Sequence, residues 1–421
     1  MKYYNEYVQI LKEELRPAMG CTEPIAVSYA ASLAKKYLKE NPKVIDVYVS
    51  GNILKNVKSV VVPNTKGLRG IKAATSIGIV AGNPDLELQC ISKVTDQDIE
   101  KCSQYLNDTE INVLLSKSDF IFDIHMFAYN NEDVCEIRIV ENHTNVVLIK
   151  YNNEIIFKRD ITGTKKTDLV DRTILNVCDI VKFADLVNIE DVKDLINQQI
   201  EYNTKISDEG LKNNYGANIG KTLLASNPND LNTRLKARAA AGSDARMNGC
   251  NMPVMINSGS GNQGMTCSLP VIEYASIKGI EESKLIRALV LSNLLTIHIK
   301  TGIGTLSAYC GVIAAGCAAG CAISYLEGAD EKTIAHTLVN SLAIASGVIC
   351  DGAKASCAAK IAIAVEAGIL GYNMYKNGNQ FYGGDGIVQK GVENTIKNIG
   401  ELAREGMLET DKEIIKIMLH C

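Results

Sequence analysis

Two runs of small residues, Ala308 to Leu326 and Ala343 to Ala364, constrain this chain more than any other feature. A helix formed from such residues can approach its neighbours closely, and its apolar surface on every side calls for burial among other helices. Tryptophan is absent and aromatics reach only 5%, whereas glycine occurs 33 times, so packing through small side chains must supply much of the core. The 421 residues suit two or three domains with a substantial core. The stretch Thr301 to Leu326 carries no charge and exceeds the about 20 residues that cross a bilayer. Its Gly, Ala, Ser and Cys content favours a core helix over a membrane span, and a membrane transporter stands as an alternative of another class.

Apolar residues make up 46% and charged residues 22%, which describes a folded globular chain. The net charge of -4 offers no electrostatic footprint for a polyanion, so nucleic-acid binding is not expected. The N-terminus, MKYYNEYVQILKEEL, lacks the uninterrupted apolar region of a signal peptide. The 13 cysteines are therefore expected in a reducing cytoplasm, as metal ligands, catalytic groups or buried residues rather than disulfides.

Tyr4, Val8, Leu11 and Leu15 fall on one face of a helix over residues 2 to 18 that ends near Pro17. A second helix is expected from Pro24 to about Leu38, with Thr22 as its N-cap and Cys21 beside its N-terminus. From residue 43 short β-rich runs take over, interrupted by a Gly- and Ala-rich helix over Gly67 to Ala81. Ile124 and Met126 alternate with Asp123 and His125, and Ile137 and Ile139 with Glu136 and Arg138, as in half-buried antiparallel strands. The pairs Asn130-Asn131 and Asn152-Asn153 supply turns. After Thr167 the pattern is mostly helical. The expected fold is α+β: N-terminal helices (1–40) that belong to a largely helical body (166–421), with a compact α/β module (41–165) inserted between them.

Three groups of residues could carry chemistry. Cys310, Cys317, Cys321, Cys350 and Cys357 recur at spacings of four and seven, which allows a metal or cluster site, but spacing alone selects no ligands, and free cysteine is also a small core residue. The segment Asn257-Ser258-Gly259-Ser260-Gly261-Asn262-Gln263-Gly264 contains a formal GxGxxG without a complete βαβ unit, so a backbone nest for a small carboxylate or phosphate competes with a flexible turn. Cys21, at a helix N-terminus, is expected to have a lowered pKa and to serve as base, acid or nucleophile; an ordinary buried turn cysteine is the plainer reading. His298 and Lys300 form an HxK pair best explained as a surface pair. His125 reads as structural, and His143 and His336 join no triad.

The combination of Met19-Gly20-Cys21-Thr22-Glu23-Pro24, Asn257 to Gly264, Cys310, Cys350-Asp351-Gly352-Ala353-Lys354-Ala355-Ser356-Cys357 and Gly384-Asp385-Gly386 resembles the L-cysteine desulfidase family. That family is related to the iron-sulfur L-serine dehydratase α domain, and the resemblance spans essentially the whole chain. It implies an oxygen-sensitive carbon–sulfur lyase that converts L-cysteine to hydrogen sulfide, ammonia and pyruvate without pyridoxal phosphate. It further implies a [4Fe-4S] cluster held by Cys310, Cys350 and Cys357, with one iron open. Cys317 and Cys321 match no ligand position. Cys21 is then the expected proton-transfer residue, and Asn257, Ser258, Ser260, Gly261, Asn262 and Gln263 the substrate-binding loop. The terminal Cys421 is a candidate resting-state ligand of the open iron, against the alternative of an exposed thiol. A homo-oligomer, a dimer, is expected, with no membrane or nucleic-acid partner. An L-serine dehydratase using the same cluster is the nearest alternative; a pyridoxal-phosphate lyase using Lys300 or Lys354, and a cysteine-rich redox sensor, are more distant ones.

Overall fold

The computed structural model describes residues 1–159, 169–304 and 307–419. Helices dominate, and six strands form a mixed sheet: β2 (Val44–Val49), β3 (Glu110–Leu115), β4 (Asp123–Asn130), β5 (Asp133–Val140), β6 (Val146–Tyr151) and β7 (Glu154–Lys158). Their order is β3-β2-β4-β5-β6-β7, with β2 and β3 parallel and every other neighbouring pair antiparallel. The expected α+β class is thus observed.

Alternation sets the faces of this sheet. Ile45, Val47, Ile124, Met126, Ile137 and Ile139 are buried against the helices Thr22–Leu38 and Gly70–Ala81. On the other face Tyr48 meets Phe127 edge-on at 5.9 Å between ring centres, and His125 bonds Glu136 at 2.8 Å, a structural role as expected. The Asn pairs do make the turns: Asn131 and Asn152 adopt φ of 53° and 50°, a left-handed conformation that asparagine tolerates. The Gly- and Ala-rich helix begins at Gly70 rather than Gly67.

The two helices expected within residues 1–40 pack into different cores. Tyr4–Glu14 buries Tyr7, Ile10 and Leu11 in the helical body, whereas Thr22–Leu38 lies on the sheet. Between them β1 (Pro17–Met19) pairs antiparallel with β8 (Pro253–Met255). The backbone of Gly20 and Cys21 is thereby tied to the strand that precedes the Asn257 loop.

The small-residue runs do form buried helices, but with different limits. The run expected from Ala308 begins its helix at Val312, and the stretch expected to be continuous from Ala343 to Ala364 is split into Glu331–Ala345 and Cys357–Lys376. Gly347 and Gly352, at φ of 115° and 95°, break the helical path between them. Val312–Leu326 crosses Cys357–Lys376 so closely that a Cβ on Gly316, Gly320 or Gly368 would land on the backbone of the other helix. Among the described residues one helix, Cys357–Lys376, is long and apolar enough to cross a membrane, and 56% of that window is buried inside the protein. The uncharged stretch from Thr301 is not one helix, since the preceding helix ends at Ile303.

Gly320→Ala is expected to destabilise the protein by about 1–3 kcal/mol through overpacking at this crossing. Gly302→Ala, whose added Cβ would meet its nearest neighbour at an ordinary 3.5 Å, is expected to be near neutral. Denaturant unfolding of both variants checks the contrast; equal midpoints would show that the crossing tolerates a methyl group.

Candidate active site

A cavity of about 620 Å³ lies where the helical body, the sheet module and the N-terminal segment meet. Cys310, Cys350 and Cys357 line one side of it, and Cys21, Ser258, Ser260, Asn262 and Gln263 line the rest together with Lys55, Lys300, Arg246 and His143. Residues far apart in sequence thus converge on one volume.

The thiols are placed by helix starts. Cys310 precedes the Val312–Leu326 helix by two residues, and Cys357 is the first residue of its helix, so both lie at positive helix ends, yet burial raises the Cys357 pKa all the same. Cys350 is held beside Cys310 by backbone pairing: the Cys310 amide donates to Val348 O at 3.0 Å and the Cys350 amide to Ala308 O at 2.5 Å. The two sulfurs share a hydrogen bond, which draws the Cys350 pKa below the usual thiol range and raises that of Cys310; Lys55 further favours the Cys350 thiolate. Lys55 is buried and ion-paired with Asp411 from the Leu408–Leu419 helix. Among the described residues no three His, Cys, Asp or Glu side chains converge as a mononuclear metal site would require. A cluster places a different demand on its ligands, because each thiolate binds its own iron.

Cys21, not Thr22, is the N-cap of the Thr22–Leu38 helix, and its thiol makes no capping bond. The lowered pKa expected from the helix end is not what results. Burial pushes the Cys21 thiol up to about 12, and nearby Arg246 opposes this only in part, because desolvation of a thiolate outweighs a partial helix charge. Cys21 is consequently a protonated thiol.

The glycine-rich loop is a tight turn. Asn257 and Ser260 exchange backbone hydrogen bonds at 3.1 and 3.0 Å, with Ser258 and Gly259 between them at φ of 49° and 75°. Ser260 then caps the Gly261–Lys278 helix by accepting from the Gln263 amide at 3.4 Å. Serine hydroxyls at a helix N-terminus suit an anion. Asn257 and Gly261 do not line the cavity. Asn257 is fully buried and donates to Asn293 Oδ1 at 2.9 Å, anchoring the loop, while a Cβ on Gly261 would collide with the Arg246 guanidinium.

Arg246 was not among the residues singled out from sequence. It lies in the last turn of the Leu231–Met247 helix, is 7% exposed, and reaches Gly20 O at 3.0 Å and Asn262 Oδ1 at 3.4 Å, while its Nε has no partner. The buried Gln263 Oε1 is also without a partner. A buried guanidinium with an unused N–H, on the same cavity as two serines and a helix start, has the chemistry to bind a carboxylate. Nothing local marks Arg246 in the sequence; its role arises from the β1–β8 pairing. Lys300, expected on the surface, is buried in the cavity wall and bonded to Gly304 O, whereas its companion His298 bonds Glu393 at 2.7 Å. Lys354 pairs with Asp351 at 2.5 Å and does not line the cavity. Cys317 and Cys321 are fully buried core residues, and Asp385 bonds the Tyr382 amide at 2.7 Å in a loop away from the cavity. Cys421 lies outside the described residues. All twelve cysteines within them are free thiols.

The profile of the serine dehydratase alpha chain matches residues 85–416, and the chain belongs to that family. Relatives over the full length include UPF0597 proteins: one from Desulfitobacterium hafniense is 57% identical over 419 residues, covering 100% of this chain and 97% of the relative. Others from Lachnoclostridium phytofermentans and Treponema denticola are 46% and 45% identical, each over 99% of this chain and at least 98% of the relative.

Asp244, two residues before Arg246, accepts from the Gly220 amide at 2.9 Å, and burial raises its pKa to about 6. Between about pH 4 and 6 the folded state then holds a proton that the unfolded chain has lost, so this residue's contribution to stability falls as pH rises through that window. Asp244→Asn keeps an acceptor for Gly220 and removes the titration. The melting temperature of the variant relative to wild type is expected to climb from pH 4 to 6 and then level; parallel curves would contradict the assignment.

Proposed function

We propose that the protein is an iron-sulfur lyase that degrades L-cysteine to hydrogen sulfide, ammonia and pyruvate. The observation that carries this reading is the convergence, on one cavity, of Cys310, Cys350 and Cys357 with the unpaired Arg246 Nε and the Ser258 to Gln263 turn. Three cysteine sulfurs on one cavity, two of them at helix starts, supply the soft donor set that a [4Fe-4S] cluster with those three ligands needs. When bound, the open iron supplies a Lewis acid for the departing thiolate.

The chain's own residues do the rest. Arg246 and the Ser258 and Ser260 hydroxyls hold the substrate carboxylate, which orients Cα and Cβ in the cavity. Asn262 steadies the guanidinium, and Gln263 offers its free carbonyl oxygen to the substrate ammonium. Cys21, held as a thiol, serves as a proton donor to the enamine formed by elimination rather than as the base. Family membership also supports a second reading, L-serine dehydratase with the same site, which differs only in the leaving group. The proposal places the enzyme in a reducing cytoplasm, where its free thiols and an oxygen-sensitive cluster persist, as a homodimer, with Cys421 as a resting-state ligand.

Anaerobically purified protein is expected to contain about four irons and four acid-labile sulfides per chain, as a [4Fe-4S] centre requires, and to release sulfide and pyruvate from L-cysteine. Cys310→Ala, Cys350→Ala and Cys357→Ala are each expected to lose iron and activity together; full activity without iron would overturn the proposal. The ratio of kcat/KM for L-cysteine and L-serine decides between the two substrates. Arg246→Ala is expected to raise KM by about 10- to 100-fold, the loss of a charge-assisted bond, with a smaller effect on kcat. An unchanged KM would remove Arg246 from the carboxylate site.

A further inference from the structure

Elimination from an amino acid needs a base for the Cα proton: Cys21 is a thiol, Arg246 and Lys55 are cations, and Lys300, although burial lowers its pKa to about 8, is turned to Gly304 O, to which it donates. The sheet module contributes a side chain that the sequence pattern did not single out. His143 lies on the connection between β5 and β6 and lines the cavity. Its Nε2 is buried and without a hydrogen-bond partner. Phe122 stands edge-on to the ring at 4.8 Å between centres, and the Glu141 amide donates to Phe122 O at 3.0 Å, so the turn that carries the imidazole is fixed against the strand beside it. Glu23, two residues after Cys21, is its electrostatic partner. Its carboxylate is held by Asn56 Nδ2 at 3.3 Å and Thr22 Oγ1 at 3.3 Å.

We infer that His143 is the general base of the elimination, supplied by the sheet module to a site whose other components come mainly from the helical body. The inference rests on the function proposed above. The neutral imidazole with its proton on Nδ1 presents the Nε2 lone pair to the substrate Cα–H. Nε2 takes that proton, the C–H electron pair becomes the Cα=Cβ bond, and the Cβ–S bond breaks with its pair remaining on sulfur. The products of the step are 2-aminoacrylate, the sulfur leaving group and an imidazolium stabilised by Glu23. The imidazolium proton passes to the leaving sulfur, giving hydrogen sulfide; tautomerisation and addition of water to the imine then yield pyruvate and ammonium. Burial keeps the imidazole uncharged before substrate arrives, and the nearby carboxylate favours the charged form once the proton is transferred, as a base that must reset each turnover requires.

The test uses the anaerobic full-length enzyme and His143→Ala with iron content and melting temperature matched to wild type. The variant is expected to lose about 10²- to 10⁴-fold in kcat with little change in KM, and exogenous imidazole is expected to restore part of that loss. Its exchange of the Cα proton of L-cysteine with D₂O, followed by NMR, is expected to fall in parallel. His143→Gln serves as the folding control, being similar in size and unable to act as base, and is expected to be equally impaired. A His143→Ala enzyme within about fivefold of wild type in kcat and in Cα exchange would overturn the inference alone. So would a loss that imidazole does not relieve while Cα exchange persists. Wild-type enzyme that releases no sulfide and exchanges no Cα proton would overturn the proposed function, and this inference with it.

Discussion

The backbone contact between the Val312–Leu326 and Cys357–Lys376 helices is the constraint on which the rest of the structure depends. Gly316, Gly320 and Gly368 bring the two backbones together where a methyl group would not fit. Interhelical distance follows the side chains at the contact, so glycine here sets how far apart the two helix starts lie. Those starts carry Cys310 and Cys357, and the short loop between Ala345 and Cys357 brings Cys350 to the same place. The small residues are therefore the means by which three thiols distant in sequence are brought to one cavity wall.

A second set of ties closes the cavity from the other side. The β1–β8 pairing holds the Gly20-Cys21 backbone against the strand before the Ser258 turn, and Arg246 bridges the two by bonding Gly20 O and Asn262. The last helix returns to the sheet module, where Asp411 neutralises buried Lys55 and Lys58 donates to Met418 O. These contacts join the helical body to the module across the cavity. The result is a mostly apolar cavity with cations, carboxylates, thiols and the His143 imidazole in its walls, in which electrostatic effects exceed what they would be in water.

Burial and local charge compete at each thiol, and the outcome differs from one to the next. Cys21 sits at a helix N-terminus yet keeps its proton, because the cost of burying a thiolate there exceeds what the helix end and Arg246 return. Cys350 goes the other way, aided by the hydrogen bond from Cys310 and by Lys55. Position relative to a helix is local information, and desolvation is not. The same limit hid Arg246 and His143: each lies in an unremarkable stretch of sequence and gains its significance from what is folded against it.

Period-2 alternation at Ile124, Met126, Ile137 and Ile139, turns at the asparagine pairs and buried small-residue helices were all legible in the chain, because each depends on neighbours a few residues away. So was the family, through motifs whose meaning lies in their combination. Helix limits near Gly347 and Gly352 were less legible, since a glycine's conformation is chosen by its surroundings. The sequence by itself determined the α+β class, and its resemblance to a family implied which cysteines and serines would share a site. Only the tertiary structure decided that Asn257 and Gly261 support the loop from behind, that Cys21 is protonated, and that Arg246, Lys300 and His143 face the cavity. Those outcomes depend on burial and on contacts between segments more than 100 residues apart, as when Arg246 meets Gly20, and no local pattern encodes them.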